Sequence, residues 1–174
     1  MIYDRLFAVV DRTLYRVIGR RDADHDDLVQ QAFEQVVITL TRHAFAQMCS
    51  LRTWASRVAT NVALNALRSR RRERAVIDRS SVIDDEFAPA SGRVPQRAFD
   101  SRSELAYVRQ MLAEMKRDQV ETLVLHDVMG HDLAEIALMT GISTSAAQSR
   151  LFRGRRELRR RIELEGLDAN GGES

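Results

Sequence analysis

Apolar residues near the start of the chain recur at three- and four-residue steps: Leu6, Val9, Val10, Leu14, Val17 and Ile18, with Gly19 as a stop signal. That spacing predicts an amphipathic first helix that must pack on something. A second stripe runs through Leu28, Val29, Ala32, Phe33, Val36, Val37 and Leu40. The acidic cluster Asp22, Asp24, Asp26 and Asp27 precedes it and is suited to capping a helix start and to favouring its positive dipole end. A polar, irregular stretch covers residues 41–47. Ser50 then caps a third helix, whose inner positions are Leu51, Trp54, Ala55, Val58, Ala59, Val62 and Leu67.

Between residues 76 and 101 the periodicity fails, and Ser80, Ser81, Asp84, Asp85, Glu86, Pro89, Ser91, Gly92 and Pro95 cluster together, as in a linker. Helical spacing resumes after Ser101 or Ser103 as N-cap, with Leu105, Val108, Met111, Leu112 and Met115. The organisation expected is a three-helix unit over residues 1–75, a flexible linker over 76–101, a second helical unit over 102–165, and a polar, disordered tail over 166–174. With two Pro and eight Gly, the chain lacks the turn formers an all-β fold needs. The fold class is all-α. Helical units this small are marginally stable alone, so docking on a larger partner would suit them.

The most specific local pattern lies in residues 132–158. Asp132 caps Leu133, Ala134, Ile136, Ala137 and Met139; Gly141 permits a left-handed turn; Ile142 plugs the corner; and Ser143 or Thr144 caps a final helix. This is a helix-turn-helix. Ile142, Ala147, Leu151, Leu158 and Ile162 form the inner face of its second helix. The opposite face carries Ser145, Gln148, Ser149, Phe152, Arg153 and Arg156, side chains able to bond base edges, touch a thymine methyl and reach phosphates.

Charge adds a second clue. The 27 basic residues nearly balance 25 acidic ones, and Lys116 is the only lysine. Two short windows hold twelve arginines: Arg68, Arg70, Arg71, Arg72 and Arg74, then Arg150, Arg153, Arg155, Arg156, Arg159, Arg160 and Arg161. The second run has Glu157 as its sole internal partner, so the pattern favours a polyanion over intrahelical ion pairs. Cys49 is the only cysteine, which excludes an internal disulfide or a multi-thiolate zinc site and fits a reducing cytoplasm. His25, His43, His126 and His131 are scattered, with no metal-ligand spacing, and no glycine-rich phosphate loop is present. The acidic cluster is more simply a helix start than a pair of catalytic acids. The sequence therefore points to a non-enzyme without cofactor or metal. Charges at Asp4, Arg5, Asp11, Arg12 and Arg16 break up any secretory or membrane-spanning stretch at the start.

Two segments carry a family resemblance. DLVQQAFEQVVITL, followed by SLRTWASRVATNVALNALRSRRR, resembles region two of the bacterial RNA polymerase sigma factors of the extracytoplasmic-function (ECF) group. VETLVLHDVMGHDLAEIALMTGISTSAAQSRLFRGRRELRRRI is similar to region four of the same group. Both lie in the expected order and together cover most of the chain. Leu51 stands where an aromatic is common and Gln31 where an acid is common.

The resemblance implies a cytoplasmic promoter-specificity subunit that binds core RNA polymerase, recognises two promoter elements and starts transcription of a specialised regulon. Residues 27–40 would dock on the polymerase coiled coil through Asp27, Gln30, Gln31 and Glu34. Residues 43–50 and the following helix would take the minus-ten element of promoter DNA through Arg52, Arg57, Asn61, Asn65 and Arg68. The helix after Ser143 would take the minus-thirty-five element through Thr144, Ser145, Gln148, Ser149, Phe152, Arg153 and Arg156. Family behaviour also implies an anti-sigma protein as partner and no membrane insertion. Trp54 could stack on a base, but its neighbours Leu51, Ala55 and Val58 make it a core residue in the first instance. The other readings are a helix-turn-helix regulator whose N-terminal unit dimerises or senses a ligand, and a polymerase-binding decoy.

Overall fold

A computed structural model describes residues 2–42, 45, 48–81 and 101–170, with side chains over the same ranges except 78–81, 101–103 and 165–170. It is all-α, with no strand among the described residues: α1 (Ile2–Ile18), α2 (His25–Thr41), α3 (Leu51–Ser81), α4 (Ser101–Glu114), α5 (Arg117–Leu123), a π-helical turn (Val124–Val128), α6 (Leu133–Thr140) and α7 (Thr144–Asn170). Most of the linker expected over 76–101, including Val82, Ile83, Phe87, Pro89 and Pro95, lies outside the described residues.

Helices α1, α2 and α3 form a bundle whose interior is Leu6, Val10, Leu14, Val17, Ile18, Val29, Ala32, Phe33, Val36, Ala55, Ala59, Val62, Ala63 and Leu64. Most of its members are the positions that recur at helical spacing, and Ala63 and Leu64, absent from the inner face read from the sequence, join them. The start of α3 is capped as the sequence suggests, the Ser50 hydroxyl accepting from Thr53 N–H at 3.0 Å. The acidic cluster before α2 acts differently. Asp24 makes no side-chain cap bond. Asp22 and Asp24 instead accept hydrogen bonds from Arg70 at 3.2 and 3.1 Å, so the acids anchor the far end of α3 rather than cap α2. His25, buried at the start of α2, lies 2.8 Å from Asp11 through Nε2.

Several local expectations need correction, among them Leu105, which is 52% exposed although it shares the apolar spacing of α4. Val37 is 54% exposed instead of facing inward, because α2 packs on α1 and α3 through a narrower stripe than its apolar residues define. Ile162 is also exposed, at 44%, rather than on the inner face of α7. Helix α3 continues beyond residue 75 to Ser81, and α7 continues through the expected tail to Asn170.

The second half does not stand apart from the first. Leu112, Met115, Val120, Leu123, Val124 and Leu151 belong to the same continuous apolar cluster as the α1–α3 bundle. A smaller cluster of Leu125, Ile136, Ala137, Met139 and Ala147 fills the helix-turn-helix itself. Glu114 joins the two halves electrostatically, with Arg71 of α3 at 2.9 Å on one side and Arg161 of α7 on the other.

Candidate nucleic-acid interface

The helix-turn-helix is built by local chemistry. Asp132 accepts from Glu135 N–H at 2.8 Å while the Glu135 carboxylate accepts from Asp132 N–H at 3.3 Å, a reciprocal cap that fixes the start of α6. Gly141 ends α6 at φ 70°, a left-handed conformation that a side chain would disfavour. Ile142 packs against the small cluster and Ser143 caps α7, accepting from Ala146 N–H at 3.2 Å. One feature of α7 escapes the sequence pattern. A Cβ on Gly154 would lie 3.0 Å from the Gln119 carbonyl oxygen, so glycine lets α5 and α7 approach closely.

This scaffold leaves Thr144, Ser145, Gln148, Ser149, Phe152, Arg153 and Arg156 exposed along α7, with Phe152 66% accessible despite its apolar ring. The arginine run around them divides in two. Arg150 pairs with Asp118, Arg155 with Asp127, Arg160 with Glu157, and Arg161 with both Glu157 and Glu114. These acids come largely from neighbouring helices, so about half of the run is tertiary structure, contrary to the expectation from sequence. Hydrogen bonding from Arg155 holds the Asp127 carboxyl below its ordinary value, with a further contribution from His126. Arg153, Arg156 and Arg159 have no acidic partner among the described residues. These cations lie beside the exposed polar side chains, giving a surface that can place donors on base edges and neutralise phosphates.

The second candidate surface, along α3, is arranged otherwise. Arg52 and Asn65 are exposed. Arg57, Asn61 and Arg68 turn toward the C-terminal helices. Arg57 Nε donates to Glu121 Oε1 at 2.7 Å and its Nη1 to the Met139 carbonyl at 2.7 Å. Asn61 Nδ2 donates to the same Glu121 oxygen at 2.9 Å, and Arg68 Nη2 to the Met115 carbonyl at 3.3 Å. Burial, reinforced by the nearby charges of Arg117 and Arg72, pushes the Arg68 guanidinium below its ordinary value. Beside them His131 Nε2 lies 3.2 Å from the buried Ser56 hydroxyl. Trp54 is half-buried against the main cluster, its ring 5.3 Å from that of Phe45, a packing position rather than an open stacking platform.

On α2, Asp27, Gln30, Gln31 and Glu34 are all exposed, and Gln30 donates to Glu34 at 3.1 Å. Sequence reasoning missed their neighbours. Val37 and Ile38, both exposed, join Gln30, Phe33 and Glu34 around a shallow depression. Tyr3 stacks on Phe33 with ring centroids 4.4 Å apart and extends this apolar surface onto α1. Among the described residues no group of His, Cys, Asp and Glu is placed to hold a metal ion, and no helix is long and apolar enough to cross a membrane.

Two helical units, one carrying a helix-turn-helix and the other a polar helix face, define the class. The family described as Sigma-70 region 2 matches residues 2–73, and that described as Sigma-70, region 4 matches residues 105–158. Among curated relatives, the chain is 31% identical over 147 residues to the RNA polymerase sigma factor CarQ of Myxococcus xanthus, covering 84% of this chain and 79% of CarQ. It is 33% identical over 171 residues to the ECF RNA polymerase sigma factor SigG of Mycobacterium tuberculosis, covering 83% of this chain and 43% of SigG. It covers 56% of the ECF sigma factor SigE of Mycolicibacterium smegmatis at 27% identity, so it spans about half the length of some relatives. The chain belongs to the ECF RNA polymerase sigma factors. A solved structure of CnrH in complex with the cytosolic domain of CnrY shares the fold, with a TM-score of 0.54 at 22% identity over 94% of this chain and 86% of CnrH.

Proposed function

We propose that this chain is a cytoplasmic sigma subunit that binds core RNA polymerase and reads a promoter at two separate elements. The α7 face carries the reading furthest: Gln148, Ser149 and Phe152 stand exposed beside Arg153, Arg156 and Arg159, cations without an acidic partner among the described residues. Through that face, with Thr144 and Ser145 at the helix start, α7 takes the minus-thirty-five element in the major groove. Arg52, Arg57, Asn61, Asn65 and Arg68 on α3, with the segment before Ser50, take the minus-ten element as its strands separate. Cationic tracking of the backbone and polar capture of unstacked bases are the chemistry such a step needs.

The exposed α2 surface docks on polymerase through Asp27, Gln30, Gln31 and Glu34. The apolar residues Val37, Ile38 and Tyr3 beside them suit a protein partner better than DNA. The relative CnrH is seen with the cytosolic domain of CnrY, and an anti-sigma protein is the corresponding partner proposed here. Two units, residues 1–75 and 102–165, act as the functional halves, with 76–101 joining them.

The test is run-off transcription with purified core polymerase on a pool of genomic fragments, with and without the protein. A sigma subunit yields discrete start sites and binds DNA feebly until core is added. A helix-turn-helix regulator instead appears as a homodimer that acts only on preformed holoenzyme. A decoy binds core and yields no transcripts.

A further inference from the structure

We propose that Glu121 is an internal stand-in for single-stranded DNA, holding the α3 face closed in the free protein while leaving the α7 face open. This rests on the reading of Arg57 and Asn61 as minus-ten contacts and adds a competitor for them from within the chain.

Glu121 lies in the apolar run VETLVL and is 6% exposed, a placement a carboxylate tolerates only with partners. Both of its hydrogen-bond donors, Arg57 and Asn61, belong to α3 in the other half of the molecule. Its own helical unit supplies neither, so the buried charge serves the contact between the halves rather than the folding of either. An anionic oxygen accepting from a guanidinium and an amide one helical turn apart is the arrangement a backbone phosphate or base carbonyl would take on that face.

The closed face is also incompletely satisfied. Thr60 Oγ1 and Asn61 Oδ1 are buried there without a hydrogen-bond partner among the described residues. Buried polar atoms in native proteins are nearly always paired, and an unpaired pair beside an interface points to a second state in which they find partners. The Met139 carbonyl on Arg57 Nη1, the Met115 carbonyl on Arg68 and His131 against Ser56 complete the closure. Strand capture therefore requires α5 and α6 to leave α3. The residues of α7 that would read duplex DNA take no part in the closure.

A chain that binds strand only when open shows an affinity reduced by the open fraction, so weakening the latch raises affinity in proportion. The test uses the full-length protein with Glu121→Gln and Glu121→Ala, titrated against a fluorescein-labelled random 12-nucleotide single-stranded DNA pool, with circular dichroism to verify folding. Both variants should bind the strand roughly five- to tenfold more tightly than wild type, the alanine variant more than the glutamine. Folded variants with unchanged or weaker strand affinity overturn the proposal.

Should both variants fail to fold, hydrogen exchange on the wild type decides. Saturating the same pool should speed exchange across residues 117–128 as α5 comes off α3. Bound strand without that change overturns the proposal. Run-off transcription by the wild type reports separately on the sigma reading. Discrete start sites together with unaltered strand affinity in the Glu121 variants would sink the latch alone.

Discussion

The two candidate DNA surfaces of this protein are built from the same kinds of side chain and meet opposite fates. On α7, Arg153 and Arg156 stand clear of every acid described, whereas on α3 Arg57 and Asn61 converge on one buried carboxylate. Residue type and helical spacing do not distinguish them. The difference lies in what packs opposite: α7 turns its apolar positions Ala147 and Leu151 inward and its polar positions to solvent, while on α3 Arg52 and Asn65 stay exposed but Arg57 and Asn61 are held by groups of α5 and α6. A polar, arginine-bearing helix face is thus open or closed according to tertiary placement, and a helix rich in arginine need not be free to bind.

The largest effect expected bears on whether the two halves act as one body. Leu64 is buried in the cluster that both halves share, and Leu64→Ala should lower stability by about 2–5 kcal/mol through lost burial and a cavity. Thermal melts followed at the helical signal should show a single transition moved down. A melt that splits, with one transition unmoved, would mean that the cluster does not couple the halves.

Next in size is the open face. Arg153→Ala in the holoenzyme should cost about 1–3 kcal/mol at one base position of the upstream element, read as relaxed preference in a promoter selection. An unaltered preference in that selection and in the matching Gln148→Ala experiment would move the recognition surface elsewhere on α7.

A third comparison sets both DNA faces against α2. Glu34→Arg or Asp27→Arg should weaken capture of core polymerase about tenfold or more, a loss of at least about 1.4 kcal/mol, because reversed charge at a docking surface repels. Both positions are exposed, so stability should stay within about 0.5 kcal/mol. Undiminished capture by both variants would remove α2 from the docking surface.

The smallest effect concerns pH. Arg155 holds the Asp127 carboxyl below its ordinary value in the folded state. The unfolded chain therefore binds the proton more readily, so the stability from this pair is present above the ordinary carboxylate range and is lost as pH falls through the depressed folded value. Asp127→Asn should flatten the acid limb of the stability curve slightly and leave neutral-pH DNA binding intact. An acid limb identical to wild type would show that the exposed pair adds nothing measurable, as many such pairs do.

Much of this organisation was legible in the residues. Leu6, Val10 and Leu14, or Ala137, Ile142 and Ala147, fall inside because short-range spacing determines which way a helical side chain points. The exposure of the polar face of α7 followed from the same rule. Less legible was anything that depends on a distant partner. Val37 has the spacing of a core residue, yet no described helix covers it. Asp22 and Asp24 look like caps but pair with Arg70, 48 and 46 residues away in the chain. Three of the seven arginines in the second run pair with acids from other elements, Asp118, Asp127 and Glu114. The occlusion of Arg57 and Asn61 had one hint in the sequence, a glutamate at position 121 inside an apolar run, whose burial demands cationic or polar company that its neighbours do not offer.

The central claim, that two surfaces read two promoter elements, is tested most directly by sequencing transcript 5′ ends made by core polymerase with wild-type protein, Arg153→Ala or Asn61→Ala on one pool of genomic fragments. Wild type should yield start sites preceded by two motifs at fixed spacing, with Arg153→Ala degrading the upstream motif alone and Asn61→Ala the downstream motif alone. Start sites with a single motif, or both substitutions acting on the same one, would contradict it.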